Sequence, residues 1–470
     1  MNLISNYKLN EKSETSIFFI SHASVVIRYD DYILVTDPYF ISPAFTTWKT
    51  SPYATISPDV LITLSKGKKL GFIISHAHED HFDHAFLNKC SKDAFIFICK
   101  FPQDAFKNIL QNDLNFKNII ELESYNLTPI QWGPFEFNGW LEPKSDFDAV
   151  IAIASPDAFI FHGNDSYGIH DEKQGESINV VKNRHKNKKS LFMGQSGTAS
   201  GWPLNYYCYD EDEKIQLLEQ KVSNMVKSIA NTCKNYNFDK SLAYAMLTRI
   251  DIPEKDYSFK TKTMSGNRAN EITKTDYFID MHPGDVYIPN ELRVIKILGT
   301  LDYVKEFNNN MGPSYDFGPE ISKIHWHKLG YHDKCENYVK NILPNYIKQE
   351  LNKPKELLTQ QQNTQQGKWV ENDFDLTFKM IITDNYENNN TIDEIDVTII
   401  NGTREKTLRV PGNIMAKVCD GDIAFRDLYI GYLGEFSRKP LNIQNGHFLQ
   451  AMHGCGVGYF KTKSYQIGFF

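Results

Sequence analysis

Ser75-His76-Ala77-His78-Glu79-Asp80-His81 places four metal-ligating side chains within six positions, directly after the apolar run Leu70-Gly71-Phe72-Ile73-Ile74. The apolar run predicts a buried strand, and the polar stretch reads as a ligand loop at its end. Strand geometry sends alternate side chains the same way, so His76 and His78 point into one pocket while Asp80 and His81 turn towards a second metal position. Neutral imidazoles and carboxylates suit zinc, manganese and iron.

Outward from this loop the chain reads as short β-rich runs. Ile17–Ile20, Ser24–Tyr29 and Tyr32–Thr36 precede it, with Asp30-Asp31 as a hairpin turn. Ala94–Cys99, Asn118–Leu122, Val150–Ala154 and Ala158–Phe161 follow, with helical patterns near Asp83–Cys90 and Gln103–Gln111. This order predicts sheets covered by helices, with ligands at strand ends. Glu211–Tyr236 has the apolar spacing of one long amphipathic helix. Leu292–Phe307 and Tyr338–Leu351 read as helices, Thr359–Gln366 as a polar loop, and Phe374–Thr383 and Thr391–Ile400 as strands joined by the turn Glu387–Asn390.

At 470 residues the chain exceeds one ordinary core, so a large domain with an appendage or two domains is expected. With 41% hydrophobic and 23% charged residues it reads as a globular protein. The net charge of −7 leaves no basic surplus for a phosphate backbone, so no nucleic-acid partner is expected. Seven scattered cysteines form no short-spacing pair, which suits a reducing compartment. Neither a secretory leader nor an apolar stretch of roughly 18 residues is recognisable, so the expectation is a cytoplasmic protein with no membrane partner.

A dinuclear centre needs more ligands than one loop supplies. Glu142, before the strand Val150–Ala154, and Asp165, after the strand Ala158–Phe161, stand where strands end, and an aspartate so placed can bridge two ions.

The pattern His-x-His-x-Asp-His after a strand, with later ligands at strand ends, resembles the metallo-β-lactamase fold superfamily. The resemblance implies an α/β fold, an αββα sandwich over residues 1–290, followed by an α+β extension over residues 291–470 packing on it. Within that superfamily four stretches are similar to the catalytic domain of the CMP-N-acetylneuraminate hydroxylases. They are Asp37-Pro38-Tyr39-Phe40 with Pro43-Ala44-Phe45; Asn164-Asp165; Gly197–Pro203; and Asp427–Tyr432 with Arg438-Lys439-Pro440.

Two departures from that family matter. Those hydroxylases carry a Rieske domain ligated by two Cys/His pairs. No cysteine here has a histidine two or three positions later, so no Rieske cluster is expected and electrons come from an external donor. Secondly, Glu142 stands before Pro143 where the family places a histidine, which is similar to the diiron β-hydroxylases of this fold. The resemblance then implies a first metal on His76, His78 and Glu142, the donor set of non-haem Fe(II) oxygenases. A second metal would take Asp80, His81, Asp165 and a late histidine, with His282 preferred to His162 and His170. Asp80 and Glu142 are the expected catalytic residues.

The leading expectation is thus an iron enzyme, with two ions, that hydroxylates a small-molecule substrate. The alternative is a zinc or manganese hydrolase of a phosphodiester, lactone or other ester, in which the metals acidify a bridging water. Asp37 reads as a residue that orients the ligating imidazoles or caps a turn. His84 reads as a helix-start residue and Ile324-His325-Trp326-His327 as structural.

Overall fold

Three antiparallel runs, Ser16–Ser21 (β1), Ser24–Tyr29 (β2) and Tyr32–Thr36 (β3), pair into a meander because Asp30 takes the left-handed conformation that closes its tight turn. The structure is a computed structural model and describes residues 13–40, 43–50, 58–143, 148–197, 201–246, 248–250, 252, 255, 264–296, 326–327, 330–351, 374–385 and 388–441. After the short strand Trp48–Thr50 (β4), the runs Lys69–Ile73 (β5), Phe95–Cys99 (β6) and Asn118–Leu122 (β7) add in parallel to β3. Parallel strands covered on both faces read as continuous apolar runs, and the buried β5 and β6 fit that rule.

The second sheet follows from strand alternation. It contains Ile130–Trp132 (β8), Phe135–Leu141 (β9), Ala149–Ala154 (β10), Ala158–His162 (β11), Lys189–Gln195 (β12) and Lys240–Tyr244 (β13). A two-stranded ladder joins Thr248–Ile250 (β14) to β4, and Phe278–Ile279 (β15) completes the second sheet beside β13. Val286–Ile288 (β16) and Arg293–Ile295 (β17) return to the first sheet beside β1.

In β10, Ile151 and Ile153 face the first sheet and meet Phe97, Phe137 and Leu34 in one core. Val150, Ala152 and Ala154 face outward, against Ile178, Val226 and Ile229 of the helices Glu172–Arg184 and Glu211–Asn235. The first sheet's outer face, with Val35, Phe72 and Ile96, is covered by Phe86 and Leu87 of the helix His84–Lys89. The layers are helix, sheet, sheet, helix, the α/β sandwich expected.

Leu376–Thr383 (β18), Thr391–Ile399 (β19), Arg404–Pro411 (β20) and Glu435–Lys439 (β21) form a further four-stranded sheet in the order β19-β18-β20-β21. Its core takes in Phe45, Trp48, Tyr206 and Leu218 from the sandwich, and the amide of Phe436 donates to Asn205 O at 2.8 Å. Lys255 is buried at this contact, with Nζ 3.5 Å from Glu435 Oε1. Burial outweighs that carboxylate and pushes the ammonium down to about 8. The folded state therefore sheds this proton earlier than the unfolded chain, whose lysine titrates near 10.4, and stability should rise with pH from about 8 to about 10. Urea midpoints at pH 8 and pH 10 should show this rise, reduced in Lys255→Met; an undiminished rise in the variant would disprove the assignment.

Several elements differ from the sequence reading. The expected helix from Leu292 is instead β17 over its first residues, because Arg293–Ile295 pair with β16; residues 297–307 lie outside those described, as do Thr359–Gln366, Ile324 and His325. Gln103–Gln111 splits into Ala105–Asn108 and a π-turn at Ile109–Asp113. The helical segment expected from Tyr338 begins at Tyr331 and passes through a π-turn at Tyr338–Ile342. The elements next to residue 290 do not divide there, since β16 and β17 belong to one sheet.

Candidate metal centre

The ligand loop forms where β5 stops: the amides of His81 and Phe82 both donate to His78 O, and Asp83 then caps the helix His84–Lys89 by accepting from Phe86 N. His84 is the first residue of that helix. The loop's imidazoles thus sit between a strand end and a helix start, next to β10 and β11.

Three groups of donors result, each with ligand atoms within 4.8 Å of one another: His76, His78 and Asp148; His76, His81 and Asp165; and His22, Asp80 and His81. His76 Nε2 lies 2.7 Å from His78 Nδ1, 3.4 Å from Asp148 Oδ1 and 4.0 Å from Asp165 Oδ2. His81 Nε2 lies 3.1 Å from Asp165 Oδ1 and 3.5 Å from Asp80 Oδ2, and His22 Nε2 stands 3.2 Å from that same Asp80 oxygen. Asp165 therefore lies between the His76 side and the His81 side.

Asp37 organises the loop from behind. Its carboxylate accepts from Ser75 N and Ser75 Oγ, both at 2.8 Å, stands 2.8 Å from His81 Nδ1 and lies 3.0 Å from His162 Nε2. Ser75 Oγ also lies 2.9 Å from His76 Nδ1. Carboxylates and hydroxyls on the far ring nitrogen fix the tautomer and direction of a ligating imidazole. His22, Asp37 and Asn164 all hold left-handed backbone, a concentration of strain of the kind that collects at functional sites.

Electrostatics separate the imidazoles. Burial pushes His76 and His78 down to about 4, so both are neutral near pH 7 and ready to ligate. For His81 burial is outweighed by Asp165, Asp80 and Asp37, which raise it well above the usual histidine range. Burial likewise opposes the charge on Asp37, but His162 and His81 hold its carboxyl well below the usual range. Asp80 Oδ1 is buried without a hydrogen-bond partner among the described residues. Such an orphaned atom costs about 1–3 kcal/mol. A cation beside it would satisfy it, so the donor set fits one or two divalent transition-metal ions.

The helix Phe425–Tyr429 and the turn after it, which precede the last strand of the C-terminal sheet, reach this loop. Glu79 accepts from Phe45 N at 2.6 Å and pairs with the buried Arg426, whose guanidinium lies over the Phe45 ring at 5.1 Å. Phe45 in turn meets the His78 ring edge-on at 5.9 Å. Thr46 Oγ1 donates to Asp427 at 2.7 Å, and Thr47 Oγ1 to Gly431 O at 2.6 Å. A Cβ at Gly431 would stand 2.3 Å from Phe45 O, so Gly431→Ala should cost about 1–3 kcal/mol in urea unfolding. An unchanged midpoint would mean that this contact is looser than described.

His76, His78, Asp80, His81 and Asp165 thus come together. The carboxylate grouped with His76 and His78 is Asp148, where Glu142 was expected. The two face each other across the β9–β10 hairpin, Glu142 N donating to Asp148 O at 2.8 Å, and the charge of Glu142 bears on Tyr125. The histidine at the second position is His22, where His282 was expected: His282 occupies a half-exposed turn with Nε2 3.7 Å from Asp280. His162 stands behind the pocket at Asp37, and the His170 ring lies tilted against Tyr167, centroids 5.0 Å apart. His22 ends an apolar strand as Ser21-His22-Ala23, the pattern of Ser75-His76-Ala77, and Asp148 directly precedes a strand, so both carried a strand-end signal.

Two sheets between helices, with a His-x-His-x-Asp-His loop at the strand ends, make this a metallo-β-lactamase-like α/β protein. In sequence the chain is similar to cytidine monophosphate-N-acetylneuraminic acid hydroxylases. With that of Asterias rubens it shares 24% identity over 295 residues, covering 59% of this chain and 37% of the relative. With the human protein, named an inactive hydroxylase of this kind, it shares 24% over 299 residues, covering 59% and 50%. The chain spans about half the length, or less, of these curated relatives. No family model matches. Similar solved structures include a possible metal-dependent hydrolase from Veillonella parvula (12% identity, TM-score 0.40, covering 59% of this chain and 100% of that one). Another is CmlA, a diiron β-hydroxylase from Streptomyces venezuelae (15% identity, TM-score 0.34, covering 50% and 45%).

Proposed function

We propose that this chain is a non-haem iron oxygenase that hydroxylates a small molecule, with two irons between the ends of its two sheets. The observation that carries this reading is the donor set at the first position: two imidazoles and one carboxylate, His76, His78 and Asp148, the combination that leaves coordination positions open in Fe(II) oxygenases. The sequence similarity to hydroxylases supports the same chemistry. Asp165, between His76 and His81, would offer a carboxylate to both positions, and Asp80, His81 and His22 would hold the second ion. Reduced iron would supply dioxygen activation there, with electrons from an external donor.

The chain's own contribution is placement. Asp37 and Ser75 fix the far nitrogens of His81 and His76, and Glu79 with Arg426 holds the loop against Phe45, so the ligand directions are set before any ion arrives.

After anaerobic reconstitution with Fe(II), the chain should consume dioxygen when given a reductant. Asp148→Asn should lower this rate by about 100-fold or more, whereas Glu142→Gln should change it only a few-fold. The reverse ranking would return the ligand role to Glu142. Ester or phosphodiester hydrolysis by the zinc or manganese form, without dioxygen uptake by the iron form, would replace the oxygenase reading with the hydrolase.

A further inference from the structure

A second convergence of imidazole and carboxylate groups lies in the C-terminal sheet. His327 comes from the turn before the helix Tyr331–Asn337, His332 from that helix and Asp393 from the edge strand β19. Their ligand atoms lie within 4.8 Å of one another, and none of the three belongs to the centre described above.

The geometry points to a surface site for one divalent ion of the zinc class, held by His327, His332 and Asp393. His327 Nε2 stands 3.9 Å from Asp393 Oδ2, and His332 Nδ1 bonds that same oxygen. The two imidazole rings lie 5.5 Å apart at 37°, so they share an approach side without stacking face to face. Zinc takes imidazole nitrogens and carboxylate oxygens at about 2.0–2.2 Å, which puts the ligand atoms of a tetrahedral site about 3.4 Å apart. Small side-chain rotations bring the present spacings to that value, and His327, at 62% exposure, is free to make them.

The surroundings prepare the carboxylate. Trp326 Nε1 donates to Asp393 Oδ2 at 2.8 Å, and Glu394 N to Oδ1 at 2.9 Å, which is how ligating carboxylates are commonly oriented. Glu336, one turn after His332, has Oε2 3.7 Å from His332 Nε2 and adds a negative charge on the ring's other side. Three protein ligands leave a fourth position for water or an external group. The ion would also tie the edge strand β19 to a helix, one way in which sheet edges are kept from pairing with other chains.

Zinc per chain, counted after equilibration of the full protein with zinc and removal of weakly held ion, tests this. His327→Gln should lower the count by one equivalent without changing the circular dichroism. His76→Ala with His78→Ala should leave this equivalent in place, and adding His327→Gln to that background should remove it. An equal count in the unsubstituted chain and His327→Gln, in both backgrounds, would overturn the site. Because residue 327 is exposed, that comparison decides even where the more buried Asp393→Asn fails to fold.

Discussion

Replacing His76 and His78 together by alanine is expected to abolish turnover while leaving the two sheets assembled. His76 is buried and His78 half-buried at the pocket, both are held neutral near pH 7, the state in which they bind metal, and His76 belongs to two of the three donor groups. Metal ions supply several kcal/mol of transition-state stabilisation, so a loss of about 4 kcal/mol corresponds to about a thousandfold fall in rate. The side chains project from a loop after β5, so the apolar strands that build the core keep their contacts. Turnover and metal content should fall together with near-ultraviolet circular dichroism preserved. A double variant that keeps both would remove this pocket from the chemistry.

Asp37→Ala is expected to produce the largest loss of stability from a single substitution. The carboxylate is fully buried, accepts two hydrogen bonds from Ser75 and stands against His81 and His162. Removing it strands these groups without water, and breaking one side of a buried charged arrangement costs about 3–5 kcal/mol. Urea unfolding of metal-free protein isolates this cost from metal linkage. A change below about 1 kcal/mol would show that the serine and histidines find other partners. Asp37→Asn should fall between, since it keeps the volume and one acceptor.

The fold was legible from the ligand loop and the short strands around it. Ser24–Tyr29, Tyr32–Thr36 and Asn118–Leu122 match their apolar runs residue for residue, and Asp210 with Glu213 forms the capping box that starts the long helix at Glu211. Less legible were β12 and β13, whose Lys-Ser openings blur a short central strand, and β17, which became a strand only through its partner β16. In the site, chain order identified the members that follow strands directly. Glu142 and Asp148 are cross-strand neighbours at the same turn of the β9–β10 hairpin, and which of the two side chains joins His76 and His78 is not encoded in spacing. His22 and His282 likewise each lie beside a strand of the first sheet, and only the folded sheet separates them. Three of the hydroxylase-like stretches, dispersed in the sequence, meet in space: Tyr39, Phe45, Leu428 and Tyr432 share one core, and Trp202 packs against it.

Metal content and optical spectrum after anaerobic Fe(II) reconstitution, followed by exposure to dioxygen, decide whether this pocket is an oxygen-activating iron centre. Iron is expected in stoichiometric amount, lost in His76→Ala with His78→Ala, with an absorbance change that requires dioxygen. Protein that retains only zinc, takes up no iron and shows no response to dioxygen with any reductant would contradict this reading.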